Sequence, residues 1–189
     1  MILETAARLF RDKGYSATSM RDLAQAVNLK ASSLYNHING KEDILREICF
    51  NNARRFREGL QEIEKNDLRP EDKVRALIRL HIRVATEDIT SITAFNDEWR
   101  HLTEPYLSEF IDLRRDYEAR IRAIIKSGIQ EGSFKVYHSH IALYTIISAI
   151  RWVYDWYQAG KSISVRQLED EVAGLLLTGL NVPVNTQIG

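Results

Sequence analysis

Cysteine, proline and glycine are all scarce in this chain: one, three and nine residues among 189. A single cysteine, Cys49, cannot form an intrachain disulfide. On an apolar helical face it reads as a small core residue, which suits a reducing cytoplasm. Few breakers beside many Leu, Ile, Ala, Arg and Glu point to helices. Long apolar runs are also missing. The richest stretch, Ile141 to Val153, is too short to cross a bilayer and contains Arg151. The opening M-I-L-E-T-A-A-R-L-F is amphipathic and charged, unlike a secretory leader, so a cytoplasmic location is expected. Charge of one sign is absent as well: 26 Lys plus Arg balance 26 Asp plus Glu. The whole-molecule charge therefore argues nothing about nucleic acid and must be read by region. Finally, enzyme signatures are missing. There is no H-E-x-x-H, no C-x-x-C, no P-loop and no glycine fingerprint. His138 and His140 stand two apart, which on a helix sends them to different faces, so no metal and no cofactor is expected.

Helical periodicity is what the chain does have. Ile2, Leu3, Ala6, Ala7, Leu9 and Phe10 mark a first helix to about Lys13, closed by Gly14. Ser19 stands three residues before Asp22, a capping-box spacing that starts a second helix over Met20 to Ala26. Asn28 tolerates the strained turn that follows. A third helix is expected over Ala31 to His37, anchored by Leu34 and Ile38. Asn39-Gly40 breaks it, and Asn39 with Glu42 opens a fourth helix to about Lys65. Further helices are expected at about Glu71–Glu87, Asp88–Leu102, Pro105–Glu131, Ser139–Ala159 and from Ser164 to the N-V-P at 181–183. The pattern implies an all-α chain of about nine helices. Residues 1–46 would form a helix-turn-helix unit, and 47–189 a helical ligand-binding and dimerisation domain.

The stretch Leu29 to Ile38, L-K-A-S-S-L-Y-N-H-I, carries the chemistry. Small polar residues at a helix start let the backbone approach phosphates, and outward polar side chains can meet base edges. Lys30, Ala31, Ser32, Ser33, Tyr35, Asn36 and His37 suit those tasks, with Asn36 placed for a base. Lys41 is placed for a backbone phosphate, and Thr18, Ser19 and Arg21 for the other strand. Bases exceed acids only slightly over residues 1–46. The same residues also suit a plain three-helix cluster with a polar surface, and their physics alone does not choose between the two.

The segments I-L-E-T-A-A-R-L-F, G-Y-S-A-T-S-M-R-D-L-A, L-K-A-S-S-L-Y-N-H-I and G-K-E-D-I-L decide the question by resemblance. Together they resemble the DNA-binding domain of the tetracycline-repressor (TetR/AcrR) family of bacterial transcription regulators. The resemblance covers about the first quarter of the chain. It implies a homodimer that binds a palindromic operator as a repressor and is released by a small molecule bound to the C-terminal domain. Two departures stand out. Asn28 occupies a turn position that is usually Gly in the family. The basic arm that usually precedes the first helix is not in this sequence: either the sequence is trimmed or the arm is absent from the protein, and true absence would make the salt dependence of DNA binding shallower.

In the C-terminal half, aromatics and arginines concentrate. Trp99, Arg100, Arg114, Tyr117, Arg122, Arg151, Trp152 and Trp156 are candidates for a ligand cavity that is apolar with a few polar anchors. Any one aromatic is better explained as core or interface packing; it is the cluster as a whole that points to a pocket. The stretch from Arg151 to Leu180 is similar to the end of family members that sense acyl-CoA thioesters. Arg114, Arg115, Arg122 and Arg151 would then meet phosphates. The alternatives are a repressor of an efflux pump that senses apolar drugs, and, from another class, a helical enzyme or ligand carrier that ignores DNA. The eighth and ninth helices are apolar over too much of their circumference for one partner, which points to two-fold pairing of two copies.

Overall fold

The computed structural model describes residues 2–35, 38–157 and 163–183. The described residues form nine α-helices and no strand. They are α1 (Ile2–Lys13), α2 (Met20–Ala26), α3 (Ala31–Tyr35), α4 (Lys41–Lys65), α5 (Pro70–Glu87), α6 (Ile89–Asp97), α7 (Tyr106–Gln130), α8 (Ser139–Trp156) and α9 (Val165–Asn181), with a single 3-10 turn at Trp99–His101. None of these helices is long and apolar enough to cross a membrane.

Two compact units divide the chain. The first holds residues 1–55 and 88–114, the second 56–87 and 115–189. The boundary expected at 46/47 falls inside α4, whose first turns belong to the first unit and whose last turns belong to the second.

In the first unit α1 packs on α2 and α6, and α2 on α3. Ala6, Ala7, Phe10, Leu23, Leu34, Ile44, Leu45, Ile48, Cys49 and Phe110 fill its core. Local chemistry sets the turns. Gly14 takes φ +84°, and Asn28 takes φ +59° in the short turn before α3, a left-handed position that Asn tolerates better than other residues with a side chain. Ser19 caps α2 reciprocally with Asp22, as the spacing predicts. At the start of α4 the expected partner changes. Asn39 donates to Asp43, because Glu42 instead accepts from the backbone N–H and hydroxyl of Thr103. The sixth helix is shorter than expected: Asp88 caps it and it ends at Asp97.

In the second unit α5 lies against α8 and α9, and α8 against α9. Leu60, Val74, Leu77, Ile78, Ile82, Ile121, Ile125, Ile146, Leu168 and Leu177 make the core. Pro70 begins α5, where its missing N–H costs nothing. Ser164 and Gln167 cap α9 reciprocally. Two ion pairs tie α5 to α9: Arg79 with Asp170, and Arg83 with the buried carboxylate of Glu169 at 3.3 Å.

Candidate functional site

The helix-turn-helix occupies the first unit. Leu34 is fully buried and roots α3 against α2. The carbonyl of Lys30 accepts from the N–H groups of Ser33 and Leu34, which opens the helix. Around that root, Arg21, Lys30, Ser32 and Tyr35 are exposed, Tyr35 at 50 %, and Ser33 is half-buried. Ala31 is the first residue of α3. Asn36 and His37, expected to meet base and phosphate, lie outside the described residues.

Three of the expected DNA contacts have structural tasks within the protomer. Thr18 is buried, and its hydroxyl donates to the carbonyl of Gly14 at 2.9 Å. The Ser19 hydroxyl is engaged with Asp22 in the α2 cap; these bonds, with Lys13 nearby, hold the Asp22 carboxyl below its ordinary value. Lys41 turns inward. Its Nζ donates to the carbonyls of Tyr15 at 2.8 Å, Thr18 at 2.9 Å and Ser16 at 3.4 Å. It also lies 4.4 Å from the centroid of the Tyr15 ring. An ammonium has three protons, and three carbonyls of the loop before α2 receive them. The periodicity of the sequence could not show this, because the acceptors are backbone atoms more than twenty residues away.

Tyr15 links this loop to the segment after α6. Its ring stacks on His101 (centroids 5.0 Å apart, 21° between planes) and meets Phe10 edge-on. His101 in turn pairs with Glu98 at 3.3 Å. Burial, then the charge of Glu42, pushes the Tyr15 phenol up to about 12. α3, the bonds of Lys41 and the Glu98–Thr103 segment all lie within the first unit.

The residues expected to line a ligand cavity are divided between the two units. In the first unit, the guanidinium groups of Arg100 and Arg114 sit 4.6 and 4.9 Å from the Trp99 ring, which also packs on Phe110. In the second unit, the Tyr117 hydroxyl is 2.8 Å from His81 Nε2. Phe56 stacks on the His81 ring at 4.5 Å. Burial holds the imidazole down at about 4 and raises the phenol. Arg122 lies elsewhere, with Arg115, Glu118, His140 and Tyr144 around a cavity of about 120 Å³. Arg151, Trp152 and Trp156 are exposed on α8, the tryptophans at 69 % and 47 %. Sequence reasoning passed over His81. The available signal was a histidine at the spacing of the apolar stripe Val74–Leu77–Ile78–Ile82.

Comparison with known proteins agrees with these features. Residues 2–48 match the family model described as bacterial regulatory proteins, tetR family. Residues 67–180 match the model of the tetracyclin repressor-like C-terminal domain. Among curated proteins, the transcriptional repressor KstR2 of Rhodococcus jostii is 28 % identical over 97 % of this chain and 91 % of its own. Among solved structures, the TetR-family regulator PfmR of Thermus thermophilus is 29 % identical, with TM-score 0.82 over 96 % of this chain and 99 % of its own. AibR, solved with isovaleryl coenzyme A and operator DNA, is 25 % identical, with TM-score 0.81 over 93 % and 96 %.

Proposed function

The chain belongs to the tetracycline-repressor family of bacterial regulators, and on that premise we propose that it is a homodimeric repressor released from a palindromic operator by an acyl-CoA ligand. The observation that carries the DNA half is α3 itself, rooted by one buried leucine while Lys30, Ser32 and Tyr35 face outward. In this reading each protomer puts α3 into a major groove, Asn36 reads a base, and Ser32, Ser33, Tyr35, His37, Lys30 and Arg21 hold phosphates. Residues 1–46 act as the reading head and 47–189 as the part that senses ligand and pairs the copies.

A CoA thioester is favoured over an apolar drug by one comparison: AibR carries isovaleryl coenzyme A in its complex with operator DNA. Arg122 and Arg115, around the same small cavity, supply cations for phosphates, and the apolar interior of the second unit supplies the acyl side. Ligand can release DNA only through unequal affinity for the bound and free arrangements.

The test joins binding and release. An operator is first selected from random duplexes, then titrated by gel shift with palmitoyl-CoA, free CoA or a hydrophobic cation. Release and thermal stabilisation by the thioester alone support the proposal. Stabilisation by the cation alone would move the protein to the drug-sensing class. Selection that enriches no duplex would return it to a carrier without DNA binding. Asn36→Ala should relax sequence preference; equal losses on operator and scrambled duplex would remove Asn36 from base reading.

A further inference from the structure

A polar pair is set into the apolar middle of the second unit. His81 stands on α5, in a stripe whose members Val74, Leu77, Ile78 and Ile82 are fully buried. Tyr117 stands on α7 and packs against the same apolar cluster. The imidazole Nε2 and the phenol oxygen are 2.8 Å apart. Phe56, on α4, stacks on the imidazole at 4.5 Å with 24° between planes, and its ring lies 6.1 Å from that of Tyr117. Three helices therefore fix the direction of the two polar atoms, as a recognition group requires.

Packing alone does not ask for this pair. Polar groups taken out of water cost free energy that their mutual bond only recovers. Apolar side chains of the same shape would fill the space without that cost. The surroundings add a second observation. Both residues are only half-buried, yet burial holds the imidazole down at about 4 and raises the phenol. Surface that is reachable but poorly hydrated lines a recess, not the outside of the molecule. At neutral pH both groups are uncharged, and one proton position between them can be filled in two ways. When the phenol donates to Nε2, its oxygen keeps lone pairs that accept from a hydroxyl. When the N–H at Nε2 donates to the phenol, the O–H of Tyr117 is free to donate to a carbonyl. Neither arrangement offers a charge to a carboxylate. Arg120, one turn further along α7, is engaged by Glu64.

We propose that the His81–Tyr117 pair is the specificity element of the ligand domain and receives a neutral oxygen, a ketone or a hydroxyl, carried on the acyl group of the ligand. The inference rests on the acyl-CoA reading above and narrows it: the thioester that is sensed is an oxygenated one, not a plain saturated chain. A saturated chain that dries the recess leaves the remaining hydrogen-bonding capacity of the phenol unmet. An oxygen at that point removes the penalty. Sites built to hydrogen-bond one ligand group discriminate strongly against the analogue that lacks it.

Titration calorimetry on the full chain tests this. The probes are free CoA, palmitoyl-CoA, and palmitoyl-CoA bearing one ketone or one hydroxyl near the thioester, mid-chain or at the far end. At least one oxygenated form should bind the parent about 10-fold or more tighter than palmitoyl-CoA. A preferred ketone makes the Tyr117 O–H a donor to ligand, and a preferred hydroxyl makes its oxygen an acceptor. Tyr117→Phe keeps the ring and removes the hydroxyl. It should erase the preference and leave palmitoyl-CoA binding nearly unchanged. Palmitoyl-CoA that binds the parent as tightly as every oxygenated form overturns the oxygen selection and leaves the acyl-CoA reading standing; this arm needs no variant to fold. Equal losses for both kinds of thioester in Tyr117→Phe reduce the pair to a tie between α5 and α7 and overturn the proposal. Thioesters that bind no better than free CoA overturn the acyl-CoA reading, and the oxygen selection with it.

Discussion

Replacing Lys41 with Met separates two jobs that a lysine beside a DNA-reading helix can have. The Nζ of Lys41 makes two short bonds to the carbonyls of Tyr15 and Thr18 and a longer one to Ser16, over an aromatic face. Charge-assisted bonds contribute about 1.5–3 kcal/mol each where desolvated. The cation–π contact adds about 0.5–1 kcal/mol at such a partly exposed site. Partial exposure reduces both, and ordering a lysine offsets about 2 kcal/mol. The net loss on Lys41→Met is then on the order of 2 kcal/mol, since the thioether fills the space and bonds to none of the carbonyls. For a chain of this size that corresponds to a melting temperature lower by roughly 4–8 °C. Urea denaturation and calorimetry measure it. Operator affinity should fall too, because the loop that positions α2 loosens. The slope of log affinity against log salt should stay as it was, since no phosphate contact is removed. A variant with parent stability whose salt slope drops by about 0.9 would refute the reasoning and return Lys41 to the DNA backbone.

Other expectations follow from the same geometry. The His81 imidazole titrates near 6.5 when unfolded and at about 4 in the native chain, so the unfolded state binds more protons between those values. Stability is therefore full above about pH 6.5 and falls as pH drops toward 4, by at most about 3 kcal/mol. Urea midpoints of the parent and His81→Gln over that range should diverge, and identical pH dependence would contradict the assignment. Cys49 is buried, and burial pushes its thiol up to about 12. Labelling at pH 8 should run at least about 100-fold slower than in unfolded chain and track urea-induced opening; prompt labelling in buffer would show that the first unit is not closed. Gly128→Ala would place a Cβ 2.4 Å from the Phe134 ring, which should destabilise by about 1–3 kcal/mol in calorimetry. An unchanged melting temperature would mean that the α7–Phe134 contact yields freely.

Helix-scale features could be read in advance because they are local. The stripe of α1, the Ser19–Asp22 and Ser164–Gln167 caps and the left-handed turn at Asn28 depend on residues a few positions apart. Spacing in sequence is then spacing in space. The α3 anchor Leu34 was legible for the same reason. What escaped are pairings between helices. His81 meets Tyr117 from 36 positions away, Glu42 meets Thr103 from 61, and Asn52 meets Ser91 from 39. Periodicity says that such residues face inward or outward and is silent on whom they face. The partners of the ligand candidates were hidden for that reason: Trp99 meets Arg100 and Arg114 in the first unit, and Tyr117 meets His81 in the second.

The placement of the three tryptophans has a spectroscopic consequence. Trp99 is held between two guanidinium groups and a phenylalanine in the first unit, whereas the other two project from α8 in the second. Intrinsic emission from this protein is thus a sum of two populations with different surroundings. A soluble quencher such as acrylamide should extinguish the α8 pair first and leave a residual signal from the reading-head side. Wavelength and quenching constant together would then follow events in the two units separately, with no dye attached.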